Sequence, residues 1–412
     1  MNLNDTPRSV RVHISLFGKR NAGKSSVINA ITNQEIAIVS PVKGTTTDPV
    51  FKSMEILPIG PCVLIDTAGI DDEGDLGQLR IKKTLEILDK TDIALLVVDA
   101  KVGLTKEDIV VSQRIKEKKI PLIIVLNKID TEDWSQIKIE KLKTELNSPV
   151  VIVSALNKVG IEKLKNEIIK VIPKDEESLK IVGDLINPGD IAILVTPIDK
   201  AAPKGRLILP QQQTIRDILE SDAIAVVTKE NELQETLSSL AKKPKIVITD
   251  SQAFDKVAKD TPEDILMTSF SILFARYKGD LSELVKGAKA IENLKDGDKI
   301  LIAEGCTHHK QEDDIGTVKI PRWIREKTGK NIEFQFTSGT TFTDEIKKYA
   351  LIVHCGGCMI NRTGMISRIE GAKNYNVPIV NYGILIACVL GILPRALKPF
   401  SEALKIWEEG EA

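Results

Sequence analysis

The segment Gly18-Lys19-Arg20-Asn21-Ala22-Gly23-Lys24-Ser25 constrains this chain more than any other feature. It fits G-x-x-x-x-G-K-[ST], follows the β-branched run VRVHISLF (10–17) and precedes an apolar helical pattern of Val27, Ile28 and Ile31. A strand entering a glycine loop that opens a helix presents backbone amides and a helix N-terminus to a phosphate. Gly18, Asn21, Gly23, Lys24, Ser25 and Ser26 therefore form the expected phosphate side of a nucleotide site. Lys24 is expected to bridge the β- and γ-phosphates, and Ser25 to ligate magnesium.

The pattern around this loop predicts a parallel sheet with crossover helices. CVLIDTAG, DIALLVVDA, PLIIVLNKID and VVIVSAL are apolar runs that end in polar or glycine residues, with amphipathic stretches between them. Ile161, Leu164, Ile168 and Ile172 share one helical face, Pro173 stops that helix, and the charged run PKDEES reads as a linker. At roughly 150 residues per domain, 412 residues hold two or three. The expected architecture is α/β with three domains: a P-loop parallel sheet over 1–173, then two smaller α/β sheet domains over 179–262 and 264–412. The run IVNYGILIACVLGIL (379–393) is broken by Asn381 and two glycines and reads as a buried strand and helix rather than a membrane span. The start, MNLNDTPRSV, lacks an apolar targeting core, so a cytoplasmic protein without membrane contact is expected.

Further motifs in the first domain select the nucleotide. Asp66-Thr67-Ala68-Gly69 ends a strand where a magnesium-side carboxylate and a γ-phosphate-facing amide are needed. Asn127-Lys128-Ile129-Asp130 supplies a carboxylate able to accept both N1–H and N2–H of guanine, a pattern adenine lacks. Ser154-Ala155 is placed for a backbone amide on guanine O6. These residues resemble the translation-factor-like class of P-loop GTPases. The resemblance implies that Gly44-Thr45-Thr46-Thr47-Asp48 is switch I, with Thr46 on magnesium, and that Asn21 is the potassium-site residue of potassium-activated members. Ile70 stands where Ras-like proteins carry a water-orienting glutamine, so slow intrinsic hydrolysis is expected.

Cysteine and histidine are concentrated elsewhere. Of five Cys and four His, six lie in Cys306-Thr307-His308-His309 and His354-Cys355-Gly356-Gly357-Cys358. In a chain without a secretory signal such clusters read as metal or catalytic sites before disulfides. Three thiolates are one short of the usual set for a 4Fe-4S cluster, which would leave one iron for His308, His354, Glu304 or an exchangeable molecule. A Cys3His zinc site fits the C-x-x-C spacing equally well. Cys62 and Cys388 lie in apolar runs and read as buried thiols, and His13 alternates with Val12 and Ile14 on a strand.

The order of these parts is similar to the FeFe-hydrogenase maturation GTPase family, HydF: the GTPase motifs, a middle α/β unit, then C-x-H followed by H-C-x-x-C. The segment Phe274-Ala-Arg-Tyr-Lys-Gly-Asp280 also looks like that family. The resemblance implies a 4Fe-4S cluster on Cys306, Cys355 and Cys358 and a homodimer formed through the middle domain. It also implies a scaffold role, receiving a two-iron precursor from radical-enzyme maturases and passing it to apo FeFe-hydrogenase. The competing reading is a ribosome-assembly or RNA-modification-type GTPase with a structural zinc site. Composition opposes nucleic acid as a partner, since 57 Lys+Arg against 58 Asp+Glu leave a net charge of −1 and aromatics are 4%.

Overall fold

The computed structural model describes residues 7–33, 49–69, 84, 86–130, 136–172, 179–198, 207–305, 314–339 and 345–409. The chain divides into two compact units, Met1–Glu177 and Ser178–Ala412.

The first unit is built on a six-stranded sheet of order β2-β3-β1-β4-β5-β6. Its strands are β1 (Val12–Phe17), β2 (Val50–Ile56), β3 (Gly60–Asp66), β4 (Ile93–Asp99), β5 (Leu122–Asn127) and β6 (Val150–Ile152). All pairings are parallel except the edge strand β2, which runs antiparallel to β3. β2 has no counterpart among the strands expected from the sequence, because Lys52 and Glu55 break up its apolar run. The central strands β4 and β5 are apolar up to their final residues because successive side chains enter cores on opposite faces. Leu16, Leu64 and Val97 pack on one side with helices α1 (Lys24–Thr32) and α4 (Ile161–Val171). Phe17, Ile65 and Leu96 pack on the other with α2 (Lys106–Glu117), while α3 (Gln136–Leu146) precedes β6. Ile161, Leu164 and Ile168 of α4 are buried, as their spacing predicts.

Gly18, directly after β1, has φ 137°, and a Cβ there would lie 2.2 Å from the carbonyl oxygen of Val97 on β4. Left-handed strain and a backbone clash act together. Gly18→Ala is therefore expected to destabilise the first unit by about 2–4 kcal/mol. Hydrogen exchange would check this: β1 and β4 should lose protection while the sheets of the second unit keep theirs.

The second unit contains two four-stranded parallel sheets. The first, of order β10-β9-β7-β8, uses β7 (Ile191–Val195), β8 (Ile224–Thr228), β9 (Ile246–Thr249) and β10 (Leu266–Ser269). The second, of order β12-β11-β13-β14, uses β11 (Lys299–Glu304), β12 (Glu333–Ser338), β13 (Leu351–His354) and β14 (Ile379–Asn381). The domain break expected at 262–264 falls inside the first of these sheets. Its polar residues form the turn into β10, with Ile265 N–H donating to Pro262 O at 3.1 Å, and β10 completes the sheet. One continuous apolar core, from Ile181 to Ala403, joins both sheets. The 379–393 run resolves into β14 and a helix over Tyr382–Val389, buried from Gly383 to Cys388. No helix among the described residues is long and apolar enough to cross a membrane.

Candidate functional sites

In the first unit, the loop between β1 and α1 meets the carboxyl ends of β3, β5 and β6. Gly23 caps α1 with φ 94°, and a Cβ there would lie 2.3 Å from Asn127 Nδ2. Lys24 is 7% exposed, and its Nζ donates to Gly18 O at 2.9 Å and Lys19 O at 3.1 Å. The ammonium thus lies across its own loop, where an incoming anion can take the place of the carbonyls.

Ser25 Oγ donates to Asp66 Oδ2 at 2.5 Å. Asp66 Oδ1 is buried without a hydrogen-bond partner among the described residues. Burial pushes this carboxyl above the usual range, while the Ser25 hydroxyl and the Lys24 charge pull it back. A hydroxyl and an orphaned carboxylate oxygen side by side are hard oxygen donors that fit magnesium. At Gly69 an added Cβ would come within 2.9 Å of Arg20 Cα, so the end of the Asp66–Gly69 segment lies against the phosphate loop.

The base side is held by a chain of side-chain bonds. Asn127 Nδ2 donates to Ala22 O at 3.0 Å and its Oδ1 accepts from Ala155 N–H at 3.1 Å. Asn127 therefore braces the phosphate loop against the 154–155 loop. Lys128 Nζ donates to Asn21 O and to Asp99 Oδ2, both at 2.7 Å. Ser154 Oγ donates to Asp130 Oδ1 and aims that carboxylate. Ser26 is half-buried in the first turn of α1. Thr46 and Ile70 lie outside the described residues.

Lys52 of β2 was not singled out by any motif. It is 6% exposed, and its Nζ has no hydrogen-bond partner among the described residues. The β2–β3 register, Lys52 opposite Leu64 and Val50 opposite Asp66, puts it on the same sheet face as Asp66. Burial lowers its basicity and Asp66 opposes that shift. No local signal in the sequence marked it, because β2 was not among the expected strands.

In the second unit, β11 and β13 are paired in register, Ala303 opposite His354, so Gly305 and Cys355 leave the sheet side by side. Gly305 N–H donates to Cys355 Sγ at 3.1 Å, so the residue that follows β11 contacts the C-x-x-C loop. Gly357 has φ 62°, which glycine adopts without strain, and the Met365 side chain packs where a Cβ would project, at 2.2 Å from Cε. Burial raises the Cys355 thiol pKa, and hydrogen bonds from the Gly305 and Gly357 amides oppose that.

Buried cations surround this loop. Lys278, 2% exposed at the end of helix α8 (Phe270–Lys278), donates to Gly357 O at 3.2 Å, Cys358 O at 3.3 Å and Ile360 O at 2.9 Å. Burial lowers its pKa to about 8, against the pull of the Cys358 and Cys355 charges, so it is mostly protonated at neutral pH. Arg368, 6% exposed, donates to Gly339 O at 2.6 Å and lies 2.5 Å from His354 Nε2.

His354 is spoken for on both nitrogens. Nδ1 is 2.6 Å from Cys355 O, an acceptor only, so Nδ1 carries the proton and Nε2 accepts from Arg368. Burial and the Arg368 charge hold its pKa down at about 3, which keeps the ring neutral. Both ring nitrogens of His354, a candidate fourth ligand, are therefore engaged in this structure, and Nδ1 orients the Cys355 carbonyl. Glu304, 5% exposed, accepts from Tyr382 Oη at 3.4 Å. Cys306, His308 and His309 lie outside the described residues. Among the described residues no three Cys, His, Asp or Glu side chains converge closely enough to hold a metal ion.

The remaining thiols behave as their apolar runs imply. Cys62 and Cys388 are buried, and burial pushes each thiol up to about 11. A maleimide at pH 8 is expected to label half-buried Cys358 well ahead of both, because a thiol three pKa units above the pH is about 0.1% thiolate. Peptide mapping of the labelled native protein would read the order directly.

Family models match in three consecutive stretches. A 50S ribosome-binding GTPase model covers residues 13–128, a hydrogen maturase F dimerization domain model covers 181–279, and a hydrogen maturase F tetramerization domain model covers 282–399. Curated relatives include the tRNA modification GTPase MnmE of Nitrosomonas europaea, 38% identical over 160 residues, 39% of this chain and 34% of that protein. GTPase Der of Sulfurihydrogenibium sp. is 36% identical over 170 residues, 39% of this chain and 38% of that protein. The chain thus spans about a third of the length of the curated relatives it matches. Among solved structures, Era of Aquifex aeolicus bound to GDP.AlF4- is similar at 20% identity and a TM-score of 0.37, over 60% of this chain and 97% of that one.

Proposed function

The chain belongs to the hydrogen maturase F family, with a P-loop GTPase domain ahead of dimerization and tetramerization domains, and from that premise we propose that it is a GTP-hydrolysing scaffold for hydrogenase maturation. In this reading Cys306, Cys355 and Cys358 hold a 4Fe-4S cluster. The protein accepts a two-iron precursor from radical-enzyme maturases and delivers it to apo FeFe-hydrogenase in the cytoplasm.

One observation carries the cluster assignment: Gly305 N–H on Cys355 Sγ at 3.1 Å. It brings the residue next to Cys306 against the C-x-x-C loop, although the two windows are far apart in sequence. The donor set supports the assignment on chemical grounds. Amide N–H groups aimed at sulfur, with buried Lys278 and Arg368 nearby, suit an anionic thiolate site. When bound, a cluster would supply an iron with an open or exchangeable coordination position. The chain's own part is to orient the Cys355 thiolate, through the Gly305 and Gly357 amides, and to hold the Cys355 carbonyl through His354.

On the nucleotide side, Lys24 and Ser25 bind the phosphate and magnesium side of GTP, and Asp130, aimed by Ser154, selects guanine. Asn21 with potassium and Thr46 with magnesium complete the proposed constellation. Order and release of switch I would change contacts with a maturase rather than drive iron chemistry. Oligomerisation through the middle sheet is supported by its edge strand β8, where Ile224 is 49% and Val227 45% exposed.

Anaerobic iron-sulfide reconstitution tests the proposal, with metal analysis and electron paramagnetic resonance of the dithionite-reduced protein. About four irons per chain with a reduced-cluster signal are expected. One zinc per chain and no signal would overturn the scaffold reading and leave a GTPase with a structural metal.

A further inference from the structure

Lys278 belongs to no motif with an assigned role, yet it is among the most buried cations of the chain, at 2% exposure. Its bonds to the carbonyls of Gly357, Cys358 and Ile360 reach the whole turn that carries Cys358 from the sheet toward helix α11 (Arg362–Asn374). The Phe274 ring lies 5.9 Å from its Nζ. A reciprocal bond locks the same two elements: Arg362 Nη1 donates to Tyr277 O at 2.7 Å, tying the start of α11 to the end of α8.

Among the described residues Lys278 forms no ion pair with a carboxylate. Thiolates at Cys358 and Cys355, as cluster ligands, would favour its ammonium. A buried charge is costly unless it is both hydrogen-bonded and compensated. Carbonyl oxygens meet the first need, and among the described residues thiolates at Cys355 and Cys358 would meet the second.

We infer that Lys278 is a positioning residue of the cysteine site, whose buried ammonium clamps the 357–360 turn and raises the reduction potential of an iron-sulfur cluster held by Cys355 and Cys358. The inference rests on the cluster reading above. One-electron reduction of a cluster adds one negative charge beside Lys278, so a fixed positive charge stabilises the reduced form over the oxidised one. The side chain touches the loop and not the metal, so it acts through the cysteines.

The test is an anaerobic redox titration followed by electron paramagnetic resonance, on full-length reconstituted wild type, Lys278→Gln and Lys278→Arg. Glutamine keeps a donor for the turn and loses the charge, whereas arginine keeps both. The expected result is a midpoint for Lys278→Gln shifted to more negative potential, or a loss of assembled cluster, with Lys278→Arg returned toward wild type. Glutamine and arginine variants that match each other, whether both titrate at the wild-type midpoint or neither assembles a cluster, would overturn the inference, because charge would then not matter. A midpoint for glutamine more positive than for arginine would overturn it as well. If wild type itself takes up no cluster, the site reading fails; if wild type is loaded and the variants match, only the role of Lys278 fails.

Discussion

Lys24→Ala is expected to abolish GTP hydrolysis while iron content after reconstitution stays at the wild-type level. The expected loss in kcat is at least about 100-fold, the scale for removing one preorganised group that stabilises charge developing in a transition state. Lys24 is suited to that role because its charge is already desolvated and aimed across the phosphate loop, bonded to Gly18 O and Lys19 O. No large rearrangement is needed to reach an anion. The separation of effects follows from the fold, since Lys24 lies in the unit ending at Glu177 and Cys355 and Cys358 lie in the unit beginning at Ser178. Turnover at saturating GTP and magnesium, paired with iron analysis of the same preparation, measures both. A fall in iron parallel to the fall in kcat would mean that cluster assembly itself needs hydrolysis.

Cys355→Ala is expected to eliminate the reduced-cluster signal and bring iron from about four per chain to background, with GTP turnover retained. Alanine also leaves Gly305 N–H without its sulfur acceptor, which costs about 1–3 kcal/mol in a partly buried position. Cys355→Ser separates the two effects. A serine oxygen can still accept from Gly305, so the local fold is preserved while a soft thiolate ligand for iron is lost. Both variants without signal, and the serine variant with wild-type thermal stability, assign the loss to ligation. Retention of the signal in both would remove Cys355 from the site.

The phosphate-loop side of the candidate site was legible in the sequence, because Lys24, Ser25 and Asp66 sit at fixed offsets from strand ends, whereas Thr46 lies outside the described residues. Gly18 and Gly23 are required by φ values of 137° and 94°, and local spacing reports such needs well. What spacing could not assign was the direction of each polar end. Asn127 belongs to the guanine motif, yet both ends of its amide go to the backbone, at Ala22 and Ala155. His354 reads as a ligand beside Cys355, yet its ring is held between a carbonyl and Arg368. Nothing local marked Lys52 or Lys278 as buried, although Lys278 lies in the Phe274–Asp280 segment. They matter only through what the fold buries around them.

By itself the sequence determined the α/β class, the phosphate-loop segment and the two cysteine windows, since each depends on local chain geometry or on residue chemistry alone. Tertiary structure decided three further things: that the 262–264 break lies within a sheet, that β11 and β13 bring Gly305 to Cys355, and that Lys278 and Arg368 stand beside the thiols. The reason is physical. Strand pairing and burial join residues that are distant along the chain, and the cost of burying a charge is set by neighbours that no local window contains.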